Sequence, residues 1–436
     1  MLRYIIIFIL NLLAIYECGV GLLQICGLYS SRHVRFIVTG SFDNPGPYGG
    51  LIAILLAVLG VFVMQNKSGG KWSIKALVVL SSVSCALCII VLPATMSRAA
   101  WFALGVTALV FGLKELSLAD WIRKHKAVAT IATITILIVM IGVFFMKKDS
   151  AIGRLHIWHM ELRAIAEKPL TGHGKGTVLG VYGDTQAEYF AEKERPEIIT
   201  KVAGCPEYAF NEYLKIGVEY GIPAMLGVIL LLALLITILL KLQSPLAYGL
   251  ITLCVFAFFS YPLEAIHIKS DAESDWDSIR YLSSIELYED AIEELTPLYD
   301  YLKDNYRYMY DYGYALHKCK RYQESIEILK KGAAISSDPM FYNIIGRNYE
   351  AMQLYEKAEE AYLHAYYMVP QRLYPLTLLM RMYVKRGYNS DALKYGIIII
   401  DKPINVNHRT MCRLQSDTRR CVDSLLLSTG SLSTDK

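Results

Sequence analysis

Long apolar runs constrain the fold of this chain more than any other feature. An apolar run of about 18 residues is long enough to cross a bilayer as a helix, and about seven such runs occur before residue 268. They cover 4–28, 48–65, 74–94, 99–117, 127–146, 222–241 and 246–266. The sequence therefore predicts an all-α fold in which residues 1–268 form a polytopic transmembrane helix bundle.

The first run is predicted to remain in the protein as a membrane span. It is too long for a signal peptide, and it lacks a convincing small-residue cleavage site. Glu17 lies inside this run. Because a carboxylate is costly in lipid, we expect Glu17 to face a partner helix or the membrane interface.

The distribution of Lys and Arg predicts the orientation of the spans, because cytoplasmic loops retain basic residues. With the N-terminus inside, the short outer loops contain only Arg32, Arg35 and Arg98. The inner loops contain Arg3, Lys67, Lys71, Lys75, Lys114, Arg123, Lys124, Lys126 and Lys241. This orientation places the polar interval 147–221, called the long loop below, on the outer side. An odd number of spans places the C-terminal half there as well.

Composition excludes several classes of function. A net charge of +4 is small for 436 residues and gives no reason to propose a nucleic acid partner. Nine cysteines are scattered without a visible disulfide framework. Cys85 and Cys88 form a CxxC motif inside an apolar run, where they are expected to pack as small residues rather than bind metal. The front half has no Asp-x-Asp motif or histidine cluster, so no metal and no cofactor are predicted.

The long loop is too long to be a plain connector, and long loops of this kind are usually functional. Arg154 begins a predicted amphipathic helix in this loop. Its apolar face contains Leu155, Trp158, Leu162 and Ile165. Trp158 suits a helix that lies on the membrane interface. The glycines that follow, at 172, 174, 176 and 180, favour a backbone that approaches a ligand closely, although the same spacing marks a plain turn.

Three polar clusters lie on the outer side in the predicted orientation: Gly40–Gly46, Ser97-Arg98 and the long loop. An arginine at the edge of a membrane is costly unless it is paired or functional. Arginines near span ends also extend to lipid headgroups. The residues themselves leave both interpretations of Arg98 open.

The back half, 273–402, has a repeat of 33 or 34 residues. Its tyrosines recur at Tyr288, Tyr322, Tyr355 and Tyr388. The segment from Met340 to Pro370 fits the tetratricopeptide helix–turn–helix pattern. The sequence predicts a tetratricopeptide-repeat solenoid whose concave surface binds a protein or peptide, with a helical bundle lacking repeats as the alternative. Residues 403–436 are polar and are predicted to form a flexible tail.

Four short motifs occur in order along the front half. They are Gly-Ser-Phe-x-Asn-Pro at 40–45, Ser97-Arg98-Ala-Ala-Trp101, Gly153-Arg154-x-x-x-Trp158 with Lys168-Pro-Leu-x-Gly-x-Gly174, and Asn211-Glu-Tyr-Leu214 with Glu219-x-Gly221. Each is weak singly, but together, over residues 40–265, the chain resembles the O-antigen ligase and polymerase family of integral membrane glycosyltransferases. Members with attached tetratricopeptide repeats are similar to this chain.

The resemblance implies transfer or polymerisation of a glycan from an undecaprenyl-diphosphate carrier, on the periplasmic face of the bacterial inner membrane. The acceptor is a sugar, lipid A core or protein hydroxyl. Arg98 and Arg154 are the expected clamp for the diphosphate leaving group, because arginines donate charge-assisted and often bidentate hydrogen bonds to phosphate. The other candidates in these motifs are Asn211 and Glu212 as catalytic residues, and Asn44, Trp158, Gly172, Gly174 and Tyr213 as substrate-binding residues.

The chain departs from the family in two ways. Many members have a histidine immediately before the motif asparagine, where this chain has Phe210, and phenylalanine cannot accept a proton. Glu212 is the preferred proton acceptor in place of that histidine, with Glu207 and His173 as alternatives. If Glu212 has no catalytic role, it is a carboxylate on a helix surface. In addition, one membrane span precedes Gly40, whereas relatives have several. A bundle shortened in this way is expected to depend on a partner or to be inactive.

Two other functions remain open. A membrane-anchored tetratricopeptide scaffold with a degenerate, inactive ligase-like domain is the main alternative to an enzyme. A domain that only anchors the repeats to the membrane does not require Arg98 and Arg154 to face one cleft. These two arginines therefore favour the enzyme. A transporter is disfavoured, because the spans lack the paired intramembrane charges of proton relays.

Overall fold

The computed structural model describes residues 1–67, 71–131, 133–135, 148–262, 270–403 and 409–430. Every regular element in these residues is a helix, which confirms the predicted all-α fold. The chain divides into two compact units. The first comprises Met1–Lys148, Tyr208–Gly217 and Ile222–His267, and the second comprises Asp149–Glu207, Val218–Gly221 and Ile268–Lys436.

The first unit consists of apolar helices. They are α1 (Leu2–Ile25), α2 (Pro45–Gln65), α3 (Trp72–Ala94), α4 (Arg98–Glu115), α5 (Leu118–Lys124), α9 (Glu212–Lys241) and α10 (Leu246–Ala257). Gly221, with φ of 83° and ψ of 171°, interrupts α9. Because this backbone conformation suits glycine alone, the interruption separates a short first part of α9 from the long apolar stretch after it.

Four of the described helices, α1, α2, α3 and α9, are long and apolar enough to cross a bilayer, and α4 with α5, bent by 86°, gives up to five. The helix α10 is shorter, with 12 residues. The predicted run 127–146 and the end of the run 246–266 fall largely on 136–147 and 263–269, which lie outside the described residues. The total of seven spans stays a prediction.

Buried polar side chains join α1 to α3. The amide of Asn11 donates to Ser81 Oγ at 2.9 Å, and Ser84 Oγ donates to Asn11 Oδ1 at 2.7 Å. Hydrogen bonds of this kind hold apolar helices together where lipid offers no polar partner. Nearby, the Sγ atoms of Cys18 and Cys88 lie 3.7 Å apart, and both thiols are free.

The second unit contains most of the long loop, namely 149–207 and 218–221, together with the back half of the chain. Its helices are α6 (Lys148–Glu167), α7 (Val178–Glu192), α8 (Glu197–Val202), α11 (Asp271–Ser284), α12 (Tyr288–Leu295), α13 (Tyr299–Leu302), α14 (Tyr306–Lys318), α15 (Tyr322–Ala333), α16 (Met340–Ala351), α17 (Tyr355–Met368), α18 (Tyr374–Lys385), α19 (Asn389–Asp401) and α20 (Arg409–Gly430). The predicted boundary at residue 268 placed the long loop with the membrane helices, so the structure groups the chain differently. The reason is that α7 packs against α17.

Successive helix pairs form the back half. The pairs α14 with α15, α16 with α17 and α18 with α19 pack against each other in chain order. Gly313 of α14 lies against Leu329 of α15, and Gly346 of α16 lies against the ring of Tyr362 in α17. The repeated glycines therefore allow the two helices of a pair to approach closely. This arrangement is compatible with tetratricopeptide repeats, which stay a prediction.

The C-terminal segment differs from the predicted flexible tail. Within 403–436, the structure describes a helix, α20, over Arg409–Gly430. Val422 is buried in it, and its side chain contacts Gly396 of α19. Composition indicated a loose tail because the segment is polar on average. The average does not show that its apolar side chains recur at helical spacing. Residues 404–408 and 431–436 lie outside the described residues.

Candidate functional site

The first sequence motif begins at a loop that α1 holds in place. Gln24 Oε1 accepts hydrogen bonds of 2.9 Å from the backbone N–H groups of Thr39 and Gly40. Gly40 has a φ of 57° and lies against the ring of Tyr48. A side chain at this position would be strained and would collide with that ring, so glycine is required here.

Glu17 completes this anchor. Its carboxylate accepts a hydrogen bond of 2.5 Å from the Ser41 hydroxyl and a second, of 3.2 Å, from the Ser41 backbone N–H. Its backbone carbonyl accepts one of 2.8 Å from the hydroxyl of Tyr48. Only 4% of Glu17 is exposed. The carboxylate in the first membrane helix therefore faces a neighbouring segment of the protein, as expected.

The first and second motifs meet where α2 and α4 begin. Asn44 caps α2, because its Oδ1 accepts a hydrogen bond of 2.9 Å from the Gly46 N–H. Ser97, which precedes α4, donates from Oγ to the Gly46 carbonyl at 3.3 Å. Gly49 also lies against the side chains of Ser97 and Thr95. The substrate-binding candidate Asn44 thus has a structural role in placing the two helix starts together.

The fourth motif lies at the same end of the first unit. Asn211 Oδ1 caps α9 by accepting a hydrogen bond of 3.0 Å from the Tyr213 N–H. The hydroxyl of Tyr213 donates to the Cys254 carbonyl, near the end of α10, at 3.0 Å. The ring of Phe256, in the same turn of α10, packs against Gly50 of α2. The end of α10 therefore connects the start of α9 with the start of α2.

Arg98 and Glu212 are the charged candidates at this end. Arg98 is the first residue of α4 and is half-buried, and Glu212 is the first residue of α9 and is 5% exposed. A helix N-terminus favours an anion through its unbonded N–H groups and its dipole. A guanidinium beside such an N-terminus is suited to bind phosphate, and a buried carboxylate is suited to accept a proton.

Basic residues mark the opposite end of the first unit. Arg3 donates to Gln65 at 2.8 Å, which joins the start of α1 to the end of α2. The ammonium of Lys114 donates to the Leu240 carbonyl at 3.0 Å, which joins the ends of α4 and α9. The motifs and these basic residues thus lie at different ends of one bundle, and the orientation of the bundle in the membrane stays a prediction.

Phe210 lies in an aromatic cluster. The rings of Tyr208 and Tyr261 stack with centroids 3.8 Å apart, and the ring of Phe210 meets that of Tyr261 edge-on at 5.4 Å. The φ of Phe210 is 57°, a value that is unusual for a bulky residue and is found mainly at constrained sites. The position that carries histidine in many relatives is therefore filled by a packed ring.

Arg154 belongs to the second unit. It is a half-buried residue of α6, and its neighbour Gly153 faces Val202 of α8, with space for an added methyl group. Arg98 and Arg154 therefore lie in different units of the chain. Their convergence on one headgroup stays a prediction.

The helix α6 exposes part of its predicted apolar face and buries a neighbouring face. Leu155 and Leu162 are 56% and 55% exposed, Trp158 is half-buried, and Ile165 is buried. The buried face instead includes Met160. The exposed leucines leave an apolar stripe on α6, and its contact with a membrane surface stays a prediction.

The glycine loop after α6 packs against its own chain. Gly172 lies against the backbone of Glu219 and Tyr220, so it has no room for a side chain there. The N–H of Gly174 donates to the Glu219 carbonyl at 3.0 Å, and the N–H of Gly176 donates to the Glu219 carboxylate at 3.0 Å. Gly172 thus allows two backbone segments to approach closely. Gly174 and Gly176 each have space for an added methyl group.

A buried amide organises the loop, and no sequence pattern had pointed to it. Gln186 Oε1 accepts a hydrogen bond of 2.5 Å from the Tyr182 hydroxyl and lies 2.8 Å from His156 Nε2. Gln186 Nε2 donates to the carbonyls of Gly204, at 3.0 Å, and Met368. Burial lowers the pKa of His156, so the neutral ring donates to the amide oxygen. These contacts join α6, α7, the segment after α8 and α17.

Glu161 lies beside this network and was also missed from the sequence. It is 1% exposed, and in the described part of the chain its Oε2 has no hydrogen-bond partner. Burial raises the pKa of this carboxyl well above its usual value. Its charge also contributes to the raised pKa of Tyr182, after the larger effect of burial.

Further contacts attach α7 to the repeats. Asp184 Oδ1 accepts hydrogen bonds from the Tyr342 hydroxyl at 3.1 Å and from His364 Nε2 at 2.9 Å. Gly180 lies directly against the Ala334 carbonyl. The segment 149–207 of the long loop and the back-half helices thus pack together within the second unit.

The alternative proton acceptors are engaged elsewhere. Glu207 forms an ion pair of 2.9 Å with Arg307. His173 places Nε2 2.9 Å from the Ala164 carbonyl, and its backbone N–H donates to Val218 at 2.8 Å. Among the described residues, no three or more His, Cys, Asp or Glu side chains form a group that could hold a metal ion.

Residues 83–229 match the family model described as O-antigen ligase. The resemblance to the O-antigen ligase family is confirmed over this region. The O-antigen ligase region contains Arg98, Arg154 and Asn211, while Asn44 precedes it. The match and the apolar helices make the chain a multi-pass membrane protein, and they place it in surface polysaccharide biosynthesis in general, with the transferase- or ligase-type activity of that family.

Two further comparisons were made. No curated protein matches the chain. One solved structure, described as "MamA RS-1 ArsTM double mutant", is 20% identical with a TM-score of 0.28, and the alignment covers 44% of this chain and 96% of that one. A TM-score of this size carries no inference about the fold of the O-antigen ligase region or of the repeats.

Proposed function

We propose that this chain is a glycosyltransferase that transfers or polymerises a glycan from an undecaprenyl-diphosphate carrier to a hydroxyl acceptor. The reaction takes place on the periplasmic face of the bacterial inner membrane, and the acceptor is a sugar, the lipid A core or a protein hydroxyl. The main support is the meeting of three separate motifs, at 40–46, 97–98 and 211–213, at one end of the first unit.

The chemistry follows from the charges of the candidates. The acceptor oxygen forms a bond to the anomeric carbon of the donor glycan while the bond from that carbon to the diphosphate oxygen breaks. The acceptor proton passes to Glu212, and the leaving diphosphate gains negative charge. Arg98 and Arg154 stabilise that charge with hydrogen bonds that need no metal ion.

The remaining candidates have supporting roles in this proposal. Asn44 and Asn211 fix the starts of α2 and α9 as helix caps. Trp158 and Tyr213 offer half-buried rings to the glycan or the lipid. Gly172 holds the glycine loop against the chain, and Gly174 leaves space for the substrate.

The arginines can be tested by substituting Arg98→Lys and Arg154→Lys separately in cells that lack the native gene. We expect each variant to lower surface glycan synthesis by about 100-fold or more, because lysine cannot form the bidentate contacts on which charge stabilisation depends. Surface glycan and accumulated lipid-linked glycan are both measured. Arg123→Lys is the matched control, because this arginine is exposed and pairs only weakly with Asp120 at 3.4 Å.

Protein amount in the membrane fraction shows whether each variant is made. Normal surface glycan with both arginine variants present at full amount would contradict the transferase and favour the membrane-anchored scaffold. Lipid-linked glycan that accumulates in the Arg98→Lys and Arg154→Lys cells would support the proposed step.

The proton acceptor has a separate test. Glu212→Gln should lower transfer by about 100- to 10,000-fold, the usual contribution of a general base, while Glu207→Gln retains it. Transfer is measured with purified protein and lipid-linked glycan at several pH values. Equal activity of Glu212→Gln and the unmodified protein would show that Glu212 is a structural carboxylate at a helix start.

A further inference from the structure

A basic groove lies among the back-half helices of the second unit, and none of its lining residues belongs to the O-antigen ligase motifs. A cavity of about 690 Å³ is lined mainly by α14, α16 and α18. This volume is in the range of pockets that hold a small molecule or a short peptide segment. The cationic side chains along it are Lys318, Lys320, Arg347, Arg381 and Lys385.

The groove has little negative charge of its own. Glu350 is the acidic residue among those that line it in the described chain. It accepts hydrogen bonds from the Lys385 ammonium at 2.7 Å and from the Tyr362 hydroxyl at 3.0 Å. It therefore neutralises one of the five positive charges. Burial lowers the pKa of His317, which disfavours a positive charge there. A hydrogen bond with Asn348 raises this pKa, and the charges of Arg347 and Lys318 lower it.

Two arginines of the groove occupy equivalent places. Arg347 is the eighth residue of α16, which begins at Met340, and Arg381 is the eighth residue of α18, which begins at Tyr374. Neither arginine has an ion pair or hydrogen bond with another described residue. Arg381 is exposed and Arg347 half-buried. Both guanidinium groups thus line the groove without being engaged by Glu350, which pairs with Lys385, or by Asp417 of the neighbouring cavity, which pairs with Arg413 and Arg420.

The groove continues toward the C-terminal helix. A second cavity of about 540 Å³ shares Tyr374 and Arg381 with the first. Met411 and Leu414 of α20 line this second cavity. The surface therefore combines unpaired positive charge with apolar and aromatic side chains along neighbouring helices.

We propose that this groove binds an acidic peptide segment of a partner protein through Arg347 and Arg381. Guanidinium groups recognise carboxylates by bidentate hydrogen bonds. Packed helices lie about 8–10 Å apart, and a peptide in the polyproline II conformation rises about 3.1 Å per residue and brings every third side chain to the same side. Two carboxylates three residues apart therefore match the two arginines, and apolar residues between them contact Tyr374 and Leu378.

A peptide fits these observations better than an anionic saccharide does. The positive charges alternate with apolar side chains such as Leu378 and Met411, and an acidic peptide with intervening leucines has the same alternation. A sulfated or uronic saccharide presents charge and hydroxyl groups but no aliphatic side chains for these residues. The saccharide is therefore an alternative that the experiment must exclude.

The test uses the purified full-length protein in detergent and a fluorescein-labelled octapeptide with two glutamates three residues apart on an alanine–leucine background. Anisotropy at low salt should show saturable binding. Arg347→Gln and Arg381→Gln should each weaken it by about tenfold or more, the loss of one charge-assisted contact. Arg419→Gln is the matched control, because this exposed arginine of α20 lines neither cavity.

Several outcomes would overturn the proposal. These are no saturable binding, equal binding of the glutamine version of the peptide, equal weakening by Arg419→Gln, and tighter binding of tetragalacturonate than of the peptide. A charge exchange guards against a folding defect: Arg381→Glu should prefer the peptide in which one glutamate is replaced by lysine. Binding of the glutamate peptide to the Arg98→Lys protein should be unchanged, so this result is independent of glycan transfer.

Discussion

Glu161 is the residue whose surroundings deviate most from what its chemistry prefers. This carboxyl group is 1% exposed, and burial raises its pKa because it disfavours the charged form. Because the folded state binds this proton more tightly than the unfolded chain, its contribution to stability is fully present below the unfolded pKa near 4.5. That contribution is lost as pH rises through the folded pKa. His156, whose pKa is lowered from 6.5, acts in the opposite direction and destabilises the fold as pH falls below 6.5.

At the residue scale we therefore expect Glu161→Gln to stabilise the second unit at pH 8 and to leave it nearly unchanged at pH 4. The neutral amide removes the cost of ionising or protonating a buried carboxyl, and one pKa unit corresponds to about 1.4 kcal/mol. Thermal unfolding at both pH values measures the effect, with a gain of about 2–4 °C per kcal/mol at pH 8. Glu167→Gln, at an exposed position of the same helix, is the control. Equal melting of Glu161→Gln and the unmodified protein at pH 8 would contradict the prediction.

The helix α7 is the element that decides how the long loop is packed. It carries Gly180 against the Ala334 carbonyl, and it carries Asp184 between Tyr342 and His364. Glycine inside a helix usually lowers stability by about 0.5–1 kcal/mol relative to alanine. At Gly180, however, the methyl group of alanine would collide with the Ala334 carbonyl, and this collision costs more than glycine does. A backbone carbonyl cannot move aside as a flexible side chain can.

The matched pair Gly180→Ala and Gly153→Ala tests this interpretation. Both glycines lie in helices of the second unit, but Gly153 has its nearest atom 3.8 Å from an added Cβ, on Val202. We expect Gly153→Ala to stabilise the unit by about 0.5–1 kcal/mol and Gly180→Ala to destabilise it by about 1–3 kcal/mol. Urea unfolding followed by tryptophan fluorescence measures both values. Stabilisation by both substitutions would show that α7 moves away from the repeats without cost.

At the scale of the whole molecule, the chain is organised as two units whose boundaries do not follow its linear order. The segment 149–207 interrupts the membrane helices in sequence, yet it belongs with 268–436. Gln186 shows the reason, because its amide donates to the carbonyl of Met368 in α17. Buried amide contacts of this kind are costly to break when no other partner is present. The segment 149–207 is therefore held against the back-half helices.

We expect native-state hydrogen exchange to report this grouping. With increasing urea, the amides of α7 should become exposed together with those of α17, at the same free energy of opening, since each buries the other. The amides of α2 should exchange independently of both. Mass spectrometry of peptides from the full-length protein in detergent measures the three sets. Exchange of α7 at much lower urea than α17 would show that the loop opens by itself.

The sequence alone determined the class of fold and the family. Apolar runs longer than a bilayer is thick require helices, and four ordered motifs carry the resemblance that the match over 83–229 confirms. The repeated tyrosines also indicated helix positions, because Tyr288, Tyr322 and Tyr355 each begin a helix of the back half. Such features are local, so the chain shows them without its folded structure.

Tertiary structure alone decided which segments pack together. Periodicity placed Leu155, Leu162 and Ile165 on one apolar face of α6, but it gave no indication that Ile165 and Glu161 are buried while the two leucines are exposed. Composition made the segment after residue 403 a loose tail, but α19 covers an apolar face of α20. In each case the partner surface lies far away in the chain, and the free energy of burial depends on that surface rather than on the segment itself.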